Sequence, residues 1–308
     1  MLGVVTYHFN SEILPGGFVG VDIFFVISGY LMTKIIMKKL ESSSFSYFEF
    51  MERRSKRIVP PLALMVLFFL AVNWSFAYTC YYEEQGKHGL ESLIFISNIT
   101  FWRESGYFEA VSSGKLFLHT WSLSVEWQFY LIYPIVLLLI SKVMPLRYVK
   151  YVLLFGFMLS YLICIFGAYK YQSANFYLLP SRAWEMLLGA LAFVFSFKFK
   201  DDATASFLGI ILILLSMFFI DASIVWPSWY SMVPALGAFL VIWSDVDWRF
   251  YGYRIFQYLG LMSYSIYLWH WPFLAMKFNG FLDLNAYLIF FFVVILSSCS
   301  YFMVERKA

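Results

Sequence analysis

Long apolar runs constrain this chain more than any other feature of its sequence. A helix needs about 20 apolar residues to span the hydrocarbon core of a bilayer. Segments near that length are residues 18–37, 58–79, 120–141, 151–169, 182–199, 205–220, 229–244, 256–276 and 283–304. Only 13% of the residues are charged, whereas soluble domains carry about 25%. Because the runs are unbroken rather than alternating in polarity, we predict an all-α integral membrane protein, not a β-barrel.

Clusters of Lys and Arg between the apolar runs predict how the helices thread through the membrane. Short basic loops lie on the cytoplasmic side, and the loop 38–57 is rich in such residues. The other basic segments are residues 142–150, 198–200, 249–254 and 306–307. These alternate correctly only if residues 90–102 do not cross, so we predict that this segment is interfacial or re-entrant. The expected architecture is one domain over residues 1–308, a bundle of about ten transmembrane helices.

The first apolar segment is too short to cross the membrane. Residues 1–9 form about 13 Å of helix, whereas the hydrocarbon core is about 30 Å thick. The basic-loop rule places residue 10 on the outer side. We therefore expect the chain to begin partway through its first helix.

Charge and cysteine content argue against two classes of partner. The net charge of +3 is small, so we predict no nucleic-acid partner. The three cysteines, Cys80, Cys164 and Cys299, are far apart and fit no metal-ligand spacing. We therefore predict no bound metal.

An acidic residue in the stretch GGFVGVDIFFVISGYLM (16–32) needs a partner. Charged side chains within a span cost a few kcal/mol and usually face a bundle interior. A tight turn at Pro15 and the following glycines allows His8 and Asp22 to meet at the outer end of a helical hairpin. A carboxylate fixes the tautomer of an imidazole, which then acts as a general base. The alternatives are that Asp22 pairs with an arginine or caps a broken helix.

A second carboxylate, Glu126, stands about two turns into the span of LHTWSLSVEWQFYLIYP (118–134). Ser122 and His119 precede it by four and seven residues. The three side chains share one face if the helix begins early enough. Aromatic residues, Trp121 among them, surround this face and form either part of a site or an interfacial belt.

The stretch SRAWEMLLG (181–189) adds Arg182 and Glu185 at the outer end of another predicted span. Both are candidates for holding a substrate. A buried pair of Arg182 with Glu126 or with Glu185 is the structural alternative, because a lone charge at that depth needs compensation.

The basic cluster in the stretch FEFMERRSKRIVPP (48–61) is a candidate phosphate site on the predicted cytoplasmic side. Arginine guanidinium groups bind phosphate in a bidentate manner. Arg54 and Arg57 could therefore hold an anionic cofactor. The alternative is that the cluster only sets the topology.

These stretches together resemble the acyltransferase family 3 membrane proteins, and most closely the branch that O-acetylates lipopolysaccharide O-antigen and other cell-envelope glycans. The matching stretches are YHF (7–9), GGFVGVDIFFVISGYL (16–31), RRSKRIVPP (53–61), LHTWSLSVEWQFYLIYP (118–134), SRAWEMLLGALAF (181–193) and LGLMSYSIYLWHWPF (259–273). They occur in the order of the family and cover nearly the whole chain. The resemblance implies an enzyme in the bacterial cytoplasmic (inner) membrane. Its donor is cytoplasmic acetyl-CoA, and its acceptor is a hydroxyl of an extracytoplasmic glycan of the O-antigen type.

The resemblance also assigns roles to residues. His8 matches the first-helix histidine, Asp22 the acidic position of G-V-D-x-F-F-x-x-S-G, and Glu126 the glutamate of W-S-L-x-x-E, which makes these three the expected catalytic residues. Arg54 and Arg57 match the R-x-x-R that is expected to bind the donor. The expected acceptor-binding residues are His119, Trp121, Ser122, Arg182 and Glu185.

Two departures from the family leave alternatives open. The family pairs its first-helix histidine with an earlier basic residue, whose position here falls before Met1. Many relatives carry an SGNH hydrolase-like domain after the membrane part, so we expect this domain to be self-sufficient or to use a separate SGNH-type partner. The alternatives to an active enzyme are an inactive truncated acyltransferase and a proton-coupled membrane transporter.

Overall fold

The computed structural model is helical throughout the residues it describes, which are 1–74, 79–105, 114–195, 202–246, 248 and 252–307. The helices are α1 (Leu2–Phe9), α2 (Gly20–Glu41), α3 (Tyr47–Asn73), α4 (Thr79–Leu93), α5 (Ser97–Glu104), α6 (Thr120–Val143), α7 (Val149–Lys170), α8 (Gln172–Tyr177), α9 (Leu179–Val194), α10 (Ala203–Phe219), α11 (Met232–Trp243), α12 (Arg254–Leu261), α13 (Ser263–Phe278) and α14 (Ala286–Met303). The prediction of an all-α protein is confirmed.

Several of these helices are long and apolar enough to cross a membrane. They are the stretches Gly17–Glu41, Tyr47–Asn73, Thr120–Val143, Leu146–Lys170 and Ala286–Met303. Two shorter apolar helices are Ala203–Phe219 and Trp229–Trp243. The predicted total of about ten crossings and their orientation stay predictions. The basic residues Lys198, Lys200 and Arg249, which the orientation used, lie outside the described residues.

Two predicted spans have different bounds in the structure. The span predicted from residue 58 begins already at Tyr47, because its basic residues form i, i+4 ion pairs that stabilise a helix: Arg53 with Glu49 at 2.5 Å, and Lys56 with Glu52 at 2.6 Å. The span predicted over 256–276 is interrupted at Met262, two residues after Gly260, a residue of low helix propensity.

The segment 90–102 is also not one continuous helix. It contains the end of α4 and the start of α5, which are separated by a turn in which Phe95 has a φ of 59°. Neither helix is long enough to cross a bilayer of about 30 Å. The interfacial or re-entrant placement of residues 90–102 remains a prediction.

The contacts divide the chain into two compact units, which are described separately. Unit 1 comprises residues 48–124 and 250–308 together with Met1, and unit 2 comprises residues 2–47 and 125–249. The prediction of a single domain over residues 1–308 is not tested by this division.

Unit 2 is organised around a close contact of α2 with α9. A Cβ on Gly29 would lie 1.8 Å from the carbonyl oxygen of Met186, and one on Gly189 would lie 1.9 Å from that of Val26. The two helix backbones therefore touch, as they do where small residues line helix pairs in membranes. Helix α9 also packs on α7, and α10 packs on α11.

Unit 1 brings α3, α13 and α14 together. Aromatic rings pack between α3 and α13, with Phe69 5.7 Å from Trp269 and 5.0 Å from Phe273. Helix α3 contains Pro60 and Pro61, which lack the N–H groups of a regular helix. The hydroxyl of Tyr264 donates to the carbonyl of Ile58 at 2.7 Å and so ties α13 to this part of α3.

Candidate active site

Three charged side chains form a buried cluster in unit 2. Asp22 lies in the first turn of α2, and Arg182 and Glu185 lie near the start of α9. Nη1 of Arg182 donates to Oδ1 of Asp22 at 3.1 Å and forms an ion pair with Oε1 of Glu185 at 2.9 Å. None of the three side chains is more than 1% exposed. Asp22 thus has an arginine partner, and the Arg182–Glu185 pair is also formed, as two of the structural alternatives proposed.

This charged cluster holds two carboxylates for one guanidinium. Burying ions is costly unless they are paired and hydrogen-bonded. The rings of Phe25 and Phe176, at 5.5 and 5.9 Å from the guanidinium carbon, add cation–π attraction. Within the part of the chain that the structure describes, Oδ2 of Asp22 has no hydrogen-bond partner. The cluster can therefore accept one further donor, such as an imidazole N–H.

Helix α1 lies beside the turn that leads into α2. The turn Gly17–Val19 packs closely on α1, because a Cβ on Gly17 would lie 2.7 Å from the Cβ of Tyr7. The ring of His8 lies 5.4 Å from that of Tyr7. This packing keeps α1 next to the end of α2 that carries Asp22. The catalytic dyad of His8 with Asp22 stays a prediction.

Glu126 lies on α6 with partners of its own in unit 2. The Ser28 hydroxyl of α2 donates to Oε1 of Glu126 at 2.5 Å, and the Tyr130 hydroxyl donates to the same oxygen. The two hydroxyl oxygens are 2.6 Å apart. The sequence did not single out Ser28 or Tyr130 for this site. The i, i+4 spacing of Glu126 and Tyr130 was the available signal.

Unit 1 holds the other predicted acceptor residues. Helix α6 begins at Thr120, so His119 precedes the helix, and the condition under which it would share a helix face with Glu126 is not met. The ring of His119 lies 5.4 Å from that of Tyr267 and 5.9 Å from that of His270. The Tyr267 hydroxyl donates to the carbonyl of His119 at 2.6 Å and lies 2.6 Å from Oγ of Ser122. The structure therefore brings His119 and Ser122 together with two residues of α13.

His270 is a polar residue of this region that the sequence did not assign to a site. It is fully buried, as Trp121 nearly is. Nδ1 of His270 lies 2.7 Å from the carbonyl oxygen of Tyr267. A carbonyl oxygen only accepts, so Nδ1 of His270 carries a proton and donates it to this oxygen. The spacing of three residues between Tyr267 and His270 on α13 was the available signal.

Arg54 and Arg57 lie in the first half of α3, in unit 1. The guanidinium carbon of Arg54 is 5.7 Å from the ring centre of Phe50. Arg57 is exposed and interacts electrostatically with Glu305. The carboxylate of Glu305 also accepts a hydrogen bond from Ser265 at 2.8 Å. Arg57 is therefore accessible to an anionic ligand, although Glu305 offsets part of its charge.

Unit 1 also contains an ion-pair network that the sequence did not predict. Oε2 of Glu104 accepts from Nζ of Lys115 at 2.6 Å and from Nε2 of His88 at 3.0 Å. Burial raises the pKa of Glu104, but these hydrogen bonds and charges outweigh it and lower the pKa to about 2. Ligand atoms of Glu84, His88 and Glu104 lie within 4.8 Å of one another. Because Lys115 already compensates Glu104, we interpret the cluster as a network that joins α4 to α5, not as a metal centre.

We expect Glu104→Gln to lower the free energy of unfolding by about 1–3 kcal/mol at neutral pH. Because the native pKa is depressed from 4.5 to about 2, the stabilisation is complete above pH 4.5 and is lost as the pH falls through 2. The gap in thermal stability between wild type and variant should therefore narrow as the pH is lowered across this window. Glu83→Gln, at an exposed position of α4, is the matched control. A difference in thermal stability between wild type and Glu104→Gln that does not change with pH would contradict the lowered pKa of Glu104.

A comparison with known protein families decides the class of this chain. The model of the acyltransferase 3 family, described as an acyltransferase domain, matches residues 1–304. The chain belongs to this family. Membership agrees with the resemblance that the motifs indicated.

Relatives of known name extend this comparison. The chain is 32% identical over 97% of its length to a protein of Komagataeibacter xylinus named as a membrane-bound transacylase, BcsY, of which it covers 78%. It is 28% identical over 99% of its length to a protein of Staphylococcus aureus strain COL named as an O-acetyltransferase, and covers 55% of that protein. It is 30% identical over 90% of its length to the peptidoglycan O-acetyltransferase OatA of Listeria monocytogenes, and covers 48% of it. No solved structure matches the chain.

Helices and family membership together show a multi-pass integral membrane acyltransferase. The transporter alternative receives no support from these relatives. The chain spans about half the length of the staphylococcal and Listeria proteins.

Proposed function

We propose that this protein transfers an acetyl group from cytoplasmic acetyl-CoA to a hydroxyl of a cell-envelope polysaccharide. The relatives named as O-acetyltransferases support the acetyl group and the hydroxyl acceptor. Acetyl-CoA is the donor that the family resemblance implies. The protein works in the bacterial cytoplasmic membrane, either alone or with a separate SGNH-type partner.

The main support for this proposal is the buried charged cluster, which consists of Asp22, Arg182 and Glu185. Acyl transfer to a hydroxyl needs a general base, because a neutral hydroxyl is a poor nucleophile. His8 takes this role, and Oδ2 of Asp22 accepts from its imidazole and stabilises its protonated form. Arg182 holds Asp22 in place through the bond at 3.1 Å. Asp22 therefore acts as a positioning residue for His8.

Each of the remaining predicted site residues binds either the acyl donor or the acceptor. Arg54 and Arg57 hold the phosphates of the donor. Glu126, through the hydroxyls of Ser28 and Tyr130, orients the acceptor in unit 2. Arg182 and Glu185 are further acceptor-binding candidates in unit 2, and His119, Trp121 and Ser122 are separate candidates in unit 1. The hydroxyl oxygen attacks the thioester carbonyl and forms the ester bond while its proton passes to His8. The C–S bond breaks, and CoA leaves as a thiolate that takes this proton up.

Ester-linked acetate in isolated envelope polymers tests this function. We expect cells that carry the gene to contain base-labile acetate in one polymer fraction, and cells that lack it or carry His8→Ala to contain none there. The O-antigen-type glycan is the fraction we propose. Acetate in peptidoglycan alone would correct the acceptor, and no gene-dependent acetate in any fraction would contradict the function.

The donor site predicts a specific requirement for arginine. Replacing Arg54 and Arg57 together with lysine keeps both charges but removes the planar guanidinium groups. We expect the affinity of the purified protein for CoA to fall at least about tenfold. Arg147→Lys, in another basic segment, is the control and should leave the affinity unchanged. Equal affinity in the double variant would leave topology as the only role of these arginines.

A further inference from the structure

An open groove between α12 and α14 lies in unit 1, apart from the side chains discussed above. It encloses about 530 Å³, which is within the range of small-molecule sites. Its lining comprises Arg254, Gln257, Tyr258, Leu261, Tyr301, Phe302 and Arg306. Among the described residues, this lining offers two guanidinium groups, an amide and two phenols beside apolar surface, and no carboxylate. Such a lining suits a ligand that joins an anionic group to an aromatic or aliphatic group.

The groove is connected to Arg57, one of the R-x-x-R arginines of the same unit, through Glu305. Arg306 directly follows Glu305, whose carboxylate interacts with Arg57. The hydrogen bond from Ser265 at 2.8 Å holds this carboxylate against the start of α13. Arg254 lies in a segment that the basic-loop rule places in the cytoplasm, as does Arg306. The groove therefore belongs to the predicted cytoplasmic face.

The charges of the donor require more than the two arginines of α3. A phosphate monoester carries about −1.5 to −2 charges at neutral pH, and CoA bears a monoester and a diphosphate. Glu305 offsets part of the charge of Arg57. Arg254 and Arg306 supply two further guanidinium groups without a carboxylate in the lining of their groove.

We propose that the groove between α12 and α14 binds a phosphate ester through Arg254 and Arg306. The nucleotide end of the acyl donor carries such an ester, and in that case the inference rests on the proposed function. The headgroup of an anionic lipid carries the same chemistry at the same membrane face. Tyr258 provides an aromatic surface on which a purine can stack.

The test compares Arg254→Gln/Arg306→Gln with wild type, in nanodiscs made only of zwitterionic phosphatidylcholine. Titration calorimetry with CoA and with adenosine 3′,5′-bisphosphate measures the nucleotide arm. A second arm uses nanodiscs that also contain phosphatidylglycerol or cardiolipin and counts retained anionic lipids by native mass spectrometry. Arg147→Gln is the matched control, because Arg147 is exposed and lies in another basic segment, outside the lining of the groove. Thermal unfolding verifies that all variants are folded.

We expect the double variant to bind the bisphosphate at least about tenfold more weakly than wild type, while Arg147→Gln binds it as wild type does. Loss of anionic lipid alone, with unchanged nucleotide affinity, would also support the phosphate-ester site and assign it to a lipid. Unchanged results in both arms would overturn the proposal while leaving the proposed function intact. If wild type transfers no acetyl group and binds no CoA, the proposed function fails. The lipid arm then still tests whether the groove binds a phosphate ester.

Discussion

Gly189→Ala is expected to sharply reduce the amount of folded protein in the membrane, and Gly29→Ala is expected to do the same. Each new methyl group would lie within 2 Å of a backbone carbonyl oxygen of the facing helix. A backbone cannot rotate away as a side chain can, so α2 and α9 must move apart. We expect a cost of about 3 kcal/mol, at the upper end for overpacking. Thermal unfolding of the detergent-purified protein, with its monodisperse yield, measures this loss.

Gly156→Ala on α7 is the matched control for this helix contact. Its Cβ would lie 3.4 Å from the tip of the Leu187 side chain, at ordinary contact distance. Alanine has the higher helix propensity by about 1 kcal/mol, so this control should be neutral or slightly stabilising. Normal stability of Gly189→Ala would show that the two helices do not pack through their backbones.

The sequence predicts the positions of the apolar helices well because length and hydropathy are local properties. The predicted spans 120–141, 151–169 and 283–304 lie within or close to the bounds of α6, α7 and α14. The early start of α3 was also accessible from the sequence, since Glu49 and Glu52 stand four residues before Arg53 and Lys56. The interruption at Met262 had a weaker local signal, the low helix propensity of Gly260 two residues before it.

The pairing of polar residues could be predicted only in part. Glu185 lies three residues from Arg182, and this spacing makes the pair visible in the sequence. The hydrogen bond of Arg182 to Asp22 joins residues 160 positions apart, and no periodicity indicates such a contact. The same holds for Ser28, which donates to Glu126 across 98 positions. The sequence could therefore show that these charges needed partners, but not which partners they have.

The contact of Asp22 with Arg182 sharpens the test of the proposed mechanism. Asp22→Asn keeps the shape and the hydrogen-bonding capacity of the side chain, and Arg182 keeps its contact with Glu185. A purely structural role for Asp22 thus predicts normal protein levels and near-normal activity. A role in orienting His8 predicts normal levels and a large loss of activity, because the amide neither fixes the tautomer nor stabilises the imidazolium.

We expect His8→Ala to reduce acetyl transfer by about 10²–10⁴-fold, the usual contribution of a general base. Asp22→Asn should lower it steeply too, and the double variant should lose no more than His8→Ala alone, because residues of one catalytic unit act non-additively. Glu185→Gln, which neutralises the other carboxylate of the cluster, is the comparison, and its loss should add to that of His8→Ala. Acetyl incorporated into the glycan, normalised to membrane-inserted protein, is the measurement. Additive losses for His8 and Asp22, or an active Asp22→Asn variant, would limit Asp22 to holding α2 and α9 together.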